Sequence, residues 1–382
     1  MTTSSHQLHI AMFPWLAFGH IIPYLELAKL IAQRGHKITF ISTPRNIDRL
    51  PKLAEPNINF VKLTLPHQDN LPENAEATSD IPYDKVQYLK KAFDGLQDPL
   101  SHFLQISSPD WIIYDFAPHW LPPIATKLGI SRVLFFIFPS WAICFLGSSS
   151  SAIINGDDQR NKPEHFTVPP KWVPFPTNIA FRFHEAKRNL DYTEVNVSGL
   201  SNFVRLGLTI SGCDVIATRG CFELESDWLK LLGELHQKPV TPLGLFPPQV
   251  NQNDNTTIEW LGEQNRGSVL YVALGSELTL SQEEITELAL GSKTMTTSSH
   301  RLHIAMFPWL AFGHIIPYLE LAKLIAQRGH KITFISTPRN IDRLPKLADP
   351  SINFMKLTLP HQDNLPENAE AISDIPTTRF NT

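Results

Sequence analysis

Residues 295–376 restate residues 1–82 at an offset of 294. Five positions differ: Gln7 becomes Arg301, Glu55 becomes Asp349, Asn57 becomes Ser351, Val61 becomes Met355 and Thr78 becomes Ile372. No other feature limits the fold as much, because whatever the first copy begins to build is begun twice. Solenoid repeats run roughly 20–50 residues and recur several times. Here one long copy recurs once, restarts at Met295 and stops matching after Pro376, before the unrelated tail TTRFNT. The arrangement reads as two near-identical neighbouring coding segments joined in one frame, with a functional duplication as the lesser reading.

Each copy carries the opening of an α/β unit. LHIAMF (8–13) is a short apolar run stopped by Pro14, as expected for a buried strand. The loop WLAFGH follows, then IIPYLELAKLIAQRG, with Pro23 suited to a first helical turn and Gly35 to the position past the C-terminus. Glu26, Lys29 and Gln33 give that helix one polar side, and the rest is apolar, as for a helix lying on a sheet. KITFIST (37–43) and INFVKL (58–63) read as the next strands. This rhythm of strand, helix and strand predicts an α/β fold with a parallel sheet.

Beyond the first copy the same alternation continues. From Val86 the apolar positions step by three and four, predicting an amphipathic helix kinked or split at Pro99. DWIIYDF (110–116), RVLFFIF (132–138) and DVIATR (214–219) read as further strands, and CFELESDWLKLLGEL as a helix. GSSSSAIINGDDQRNKPEHF (147–166) reads as a polar loop, and PVTPLGLFPPQVNQNDNT (239–256) as an interdomain linker. A new unit starts at GSVLYVAL (267–274), a strand that turns at Gly275 and Ser276. Ser281 and Glu284 then form a capping-box pattern before ITELAL.

Composition excludes some partners. With 382 residues, two or three domains are expected. The net charge of −4 gives no basic excess for nucleic acid or an anionic membrane. Cys144, Cys213 and Cys221 form neither a disulfide framework nor a metal spacing, so a reducing, cytoplasmic location is expected and no metal. MTTSSHQLHI lacks the basic and apolar regions of a signal peptide. The most apolar run, residues 133–146, is too short to span a bilayer and is interrupted by Pro139, so no transmembrane segment is expected.

Three places carry candidate chemistry. His20 lies in the loop between a strand end and a helix start; it is either a general base or a helix-start histidine bonded to backbone. Asp115 ends the strand WIIYD, where it either orients an imidazole or caps the following helix. Gly275-Ser276 is a turn of a kind that can bring backbone amides and a hydroxyl to a diphosphate, though such turns are common. No G-x-G-x-x-G fingerprint follows the first strand, which argues against a nicotinamide dehydrogenase. His67 sits in a polar, Pro-bounded loop (66–80) and reads as solvated.

The segments AMFPWLAFGHIIPYLELAKLIAQRGHKITFIST, DWIIYDFAPHW, PVTPLGLFPP and GSVLYVALGSELTLSQEEITELALG come in the order seen in plant UDP-dependent glycosyltransferases. From residue 1 to about 291 the chain resembles that family. The likeness is greatest to the branch that adds sugars to already glycosylated secondary metabolites, rhamnosyltransferase-like members included. The resemblance implies a GT-B architecture, in which two Rossmann-like domains face each other across the catalytic cleft. It makes His20 the base that takes a proton from an acceptor hydroxyl, and Asp115 its dyad partner. Gly275 and Ser276 become contacts to the UDP phosphates. It places Phe18, Gly19, Phe138, Ser140 and Trp141 on the acceptor side, although core packing explains the aromatic residues equally well. The expected partners are a small-molecule acceptor (a flavonoid, a terpenoid or their glycosides) and a UDP-sugar as co-substrate, with no further cofactor.

The family's donor signature, which carries His-x-Gly-Trp-Asn-Ser, occurs nowhere in the chain. The second copy supplies another base, His314, but no counterpart of Asp115 and no nucleotide site. The expected organisation is an acceptor-binding Rossmann-like domain at 1–245 and a linker at 246–265. An incomplete start of the UDP-sugar domain follows at 266–294, then the partial repeat at 295–382. Turnover by this chain is not expected; a non-catalytic acceptor-binding half or a fused tandem-gene product is the alternative. The strand after 266 and the strands of the second copy are expected to expose apolar surface unless they pack on each other.

Overall fold

A computed structural model describes residues 7–51, 55–149, 154–155, 160, 162–190, 194–246, 256–264, 269–272, 303–308, 310, 312–327, 329–347, 349–359, 369–371 and 374. The chain divides into two compact units, Met1–Pro248 and Gln249–Thr382.

In the first unit seven described strands form one parallel sheet. They are β1 (His9–Phe13), β2 (Lys37–Ser42), β3 (Ile58–Lys62), β4 (Trp111–Tyr114), β5 (Ser131–Phe136), β6 (Val215–Thr218) and β7 (Val240–Pro242), in the order β3-β2-β1-β4-β5-β6-β7. The central strands are nearly continuous apolar runs because both faces of a parallel sheet are covered. Alternation along β1 sends Ile10 and Met12 to one face and Ala11 and Phe13 to the other. The first face is covered by α1 (Phe18–Ala32), whose Tyr24, Leu25 and Ala28 pack on Met12, Phe40 and Phe135. The second face meets α3 (Val86–Asp94), α4 (Gln97–Ser107), α5 (Leu121–Lys127), α8 (Asn202–Gly212) and α9 (Phe222–His236). Phe13 stacks on Phe93 there, with centroids 4.9 Å apart. Between them in sequence lie the short α2 (Pro44–Asp48) and α6 (Ser140–Cys144), and α7 (Phe183–Leu190).

Several elements depart from the sequence reading. The helix expected after the loop WLAFGH already includes Phe18 to His20, and Pro23 lies inside it rather than in its first turn. Pro23 has no amide to give the Gly19 carbonyl, so the turn around Gly19 and His20 is held by other bonds. The helix from Val86 does split, but at Gly95 and Leu96; Pro99 sits in the first turn of α4, where its missing N–H costs nothing. The segment read as linker from 239 opens with β7, and α10 (Thr256–Gly262) lies within 246–265. Helices α7 and α8 were not anticipated. Gly35 has φ +88°, as its place past a helix end requires.

The second unit, among its described residues, is a four-stranded parallel sheet. Its strands are β8 (Val269–Val272), β9 (His303–Met306), β10 (Lys331–Ser336) and β11 (Ile352–Lys356), ordered β11-β10-β9-β8. It also holds α11 (Phe312–Ala326) and α12 (Pro338–Asp342). Ile304, Met306, Tyr318, Leu319 and Phe334 repeat the packing of Ile10, Met12, Tyr24, Leu25 and Phe40. In the first unit β1 is flanked by β4, with Ile10 opposite Trp111 and Met12 opposite Ile113. In the second, β9 is flanked by β8, with Ile304 opposite Leu270 and Met306 opposite Val272. The strand expected to lack a sheet therefore pairs with the repeat. Trp260 of α10 meets His303 edge-on at 5.3 Å, and Gln264 Oε1 lies 3.0 Å from His303 Nδ1. Phe307 is 52% exposed while its counterpart Phe13 is buried. The repeat stops short of any counterpart to Phe93. The capping-box residues Ser281 and Glu284 lie outside the described residues.

Candidate active site

The strand order reverses direction of growth between β1 and β4, since β2 and β3 add on one side and β5 to β7 on the other. Open α/β sheets bind ligands beyond the strand ends at such a switch point. The register that sets Phe13 beside Tyr114 brings Trp15, two residues further on, close to Asp115, which directly follows Tyr114. Asp115 therefore lies just past β4. Ala17, extended at φ −135° and ψ 135°, caps α1, and its carbonyl accepts from the amides of His20 and Ile21, both at 2.8 Å. His20 thus sits in the first turn of α1 rather than in a loop.

The two side chains meet. His20 Nδ1 lies 2.7 Å from Asp115 Oδ2. The same oxygen accepts from the Trp15 amide at 3.1 Å, and Oδ1 accepts from the Phe116 amide at 2.7 Å. Asp115 is 1% exposed and His20 8%. A carboxylate offers only acceptors, so Nδ1 carries the proton, and in the neutral ring the lone pair is then on Nε2. The ring is held between Phe116, at 5.6 Å between centroids, and Phe138, edge-on at 5.3 Å. Tyr24 lies behind the dyad, donating to the Phe135 carbonyl at 3.0 Å. Its hydroxyl pKa is pushed well up, first by burial and then by the charge of Asp115. The arrangement is an imidazole tied at Nδ1 to a buried carboxylate, with Nε2 as the nitrogen left for chemistry.

The other expected residues are placed unevenly around this centre. Phe138 is 41% exposed and forms a wall against His20. Gly19 is exposed, and a Cβ there would meet nothing within 4 Å. Phe18 packs with the α1-side core and under the Arg49 guanidinium, 5.8 Å from the ring centre. Ser140 is buried, its amide donating to Glu225 Oε1 at 2.8 Å. Trp141 packs on Phe145 and Phe181. His67 is exposed and pairs with Asp69 at 3.4 Å. Gly275 and Ser276 lie outside the described residues, as does the side chain of His314. Sequence reasoning missed Phe116, which directly follows the dyad aspartate, and Glu225, which carried no signal beyond its place in a helix. A cavity of about 500 Å³ lined by Leu8, Leu104, Asp110, Trp111 and Ile130 opens near the starts of β1 and β4, at the other end of the strands from the dyad.

No family profile matches the chain. Curated sequences do. It is 51% identical over 299 residues to UDP-glycosyltransferase 91C1 of Arabidopsis thaliana, a match covering 76% of this chain and 64% of that protein. The chain is a homologue of the plant UDP-glycosyltransferases. UDP-glycosyltransferase 91D2 of Stevia rebaudiana is 51% identical over 75% of this chain and 61% of its own length. The soyasaponin III rhamnosyltransferase of Glycine max is 42% identical over 74% and 62%. The chain thus spans somewhat less than two thirds of the length of these glycosyltransferases. Two solved structures share the fold. Arabidopsis thaliana UGT89C1 complexed with UDP-L-rhamnose superposes with a TM-score of 0.54 at 20% identity, covering 79% of this chain and 65% of that one. Glycyrrhiza uralensis UGT73P12 gives 0.57 at 16% identity, covering 86% and 72%. Among the described residues no helix is long and apolar enough to cross a membrane.

Proposed function

We propose that residues 1–245 are the acceptor half of an inverting UDP-sugar-dependent glycosyltransferase, with His20 as general base and Asp115 as its orienting partner. One observation carries this reading: the 2.7 Å contact from His20 Nδ1 to Asp115 Oδ2, which leaves Nε2 free beside the exposed ring of Phe138. In the reaction Nε2 takes the proton of an acceptor hydroxyl. The oxygen then attacks the anomeric carbon, the bond from that carbon to the UDP oxygen breaks, and UDP leaves with the electron pair. Attack from the face opposite the leaving group inverts the configuration. The imidazolium that forms is stabilised by the buried carboxylate of Asp115. Positioned base catalysis of this kind contributes about 10²–10⁴-fold.

The acceptor class is a hydroxylated small molecule such as a flavonoid, a terpenoid or a glycoside of either, which suits a wall of Phe116 and Phe138. Relatives named as rhamnosyltransferases support a glycoside acceptor. Gly275 and Ser276 belong to the donor side of the same proposal, and Phe18, Gly19, Ser140 and Trp141 to the acceptor side. The domain limits of 1–245, 246–265, 266–294 and 295–382, and a cytoplasmic location, are part of it. The family's His-x-Gly-Trp-Asn-Ser donor signature does not occur in these 382 residues, so the reading assigns them acceptor binding and proton transfer, with Gly275 and Ser276 as only a part of a donor site.

Calorimetry and tryptophan fluorescence test it. Quercetin and a quercetin glycoside are expected to bind saturably, His20→Ala to weaken binding, and UDP to show no binding. Micromolar UDP affinity would overturn the assignment of function by halves. Absence of binding by flavonoid and terpenoid acceptors alike would overturn the acceptor reading.

A further inference from the structure

Helix α9 is broken near its start. Glu225 sits at φ −136° and ψ 27°, outside helical values, although glutamate is a good helix former and nothing in FELESDWL requires a break. The cause lies across the fold. Glu225 Oε1 accepts from the Ser140 amide at 2.8 Å, and Oε2 lies 3.4 Å from Ser140 Oγ. Ser140 opens α6, so its amide is one of the donors a helix start leaves without a partner of its own. The carboxylate acts as a cap supplied from another helix, with its charge at the favourable end of the peptide dipoles. Gly220 makes room for it: a Cβ there would lie 2.7 Å from Glu225 Oε2. The charge is felt inside α6, where the Cys144 thiol is pushed up first by burial and then by Glu225.

Ser140 is two residues from Phe138, with only Pro139 between them. Proline fixes its own φ, so the backbone at 138 has little freedom once Ser140 is tied down. Phe138 itself is 41% exposed, and its edge contact with His20 needs a backbone held in place from elsewhere. We propose that Glu225 is a positioning residue of the acceptor site. Its carboxylate fixes the Phe138–Ser140 turn and so holds the aromatic wall that directs an acceptor hydroxyl to His20 Nε2. The inference rests on the reading of His20 as the base, but its first readout does not need an acceptor.

The experiment uses the full chain with His20 observed by ¹H–¹³C NMR at its ring Cε1, alongside quercetin affinity by fluorescence. Glu225→Ala is expected to move the His20 resonance and to weaken quercetin about tenfold, equivalent to about 1.4 kcal/mol. Glu225→Gln, which keeps an acceptor for the Ser140 amide, is expected to restore both. Phe138→Leu should reproduce the resonance shift of Glu225→Ala. If Glu225→Ala fails to fold, Gly220→Ala gives a milder displacement of Oε2 alone and should move the resonance in the same direction. A lowered melting temperature with an unmoved His20 resonance would make Glu225 merely structural and overturn the proposal. A moved resonance with no quercetin binding by the unaltered chain would support Glu225 and reject the acceptor reading instead.

Discussion

At the scale of single residues, Asp115 is the most constrained group in the first unit. Each of its oxygens accepts from a backbone amide, and Oδ2 also meets His20. Asp115→Asn keeps the shape but turns one acceptor into a donor, so one of these partners must lose its bond. The His20 tautomer is then no longer fixed. ¹⁵N NMR should show Nδ1 change from protonated to mixed, and any turnover restored by a donor half should fall by about 10²–10⁴. A second residue reports on acid stability. His236 is buried and accepts from the Ser149 amide at Nδ1, and burial lowers its pKa from 6.5 to about 4. Between those values the unfolded chain binds the proton and the folded one does not. The part of the stability that depends on His236 is therefore full above pH 6.5, falls as the pH drops towards 4, and changes no further below. The loss is about 3 kcal/mol at most. Thermal melts across this range should show the decline, and His236→Gln should flatten it. The pairing of His20 with Asp115 was legible only through the family resemblance, since each residue alone also reads as a helix-start histidine or a capping aspartate. Phe116 and Glu225 were not, since their roles depend on where β4 and α6 come to lie.

At the scale of elements, one buried cation ties the second face of the sheet together. Arg205 of α8 is fully buried and reaches Asp94 at the end of α3 with both terminal nitrogens, each at 2.6 Å. The same group donates to the Ala117 carbonyl at 2.7 Å, beside the Asp115–Phe116 turn. Removing one partner of a buried pair leaves the other uncompensated, so Arg205→Ala should cost about 3–5 kcal/mol in denaturant unfolding. Its neighbour Lys90 feels the same cation: burial, and then Arg205, lower its pKa to about 8. Helix α8 was invisible to sequence reading because NFVRLGLTISG has a Gly at its centre and follows a polar stretch. Its N-terminus is set by Ser201, whose hydroxyl accepts from the Val204 amide at 3.1 Å. Strand β7 was hidden by prolines, which an edge strand tolerates. By contrast β1, β2, β4 and β5 were plain, as uninterrupted apolar runs of strand length usually are.

At the scale of the whole molecule, the two units answer to one rule of pairing. The first copy of the repeat is completed by β4, and the second by β8. Deleting residues 265–300 removes β8 and leaves one edge of β9 bare. Hydrogen exchange should then show faster exchange across β9 to β11, with β1 to β7 unchanged. Equal protection in the deleted chain would mean that β8 contributes nothing to the second unit. The division into units falls between Pro248 and Gln249. What the sequence could not show was that a strand expected to begin a donor domain would instead flank the repeat.

That substitution has a consequence for what the edge of β9 can accept. The open side of a parallel strand recognises backbone geometry and alternating apolar side chains, and it carries no memory of which neighbour was selected for it. Any short apolar strand presented in parallel can therefore close the edge of β9, so replacing Val269–Val272 by the β4 sequence WIIY should leave hydrogen exchange across β9 to β11 unchanged.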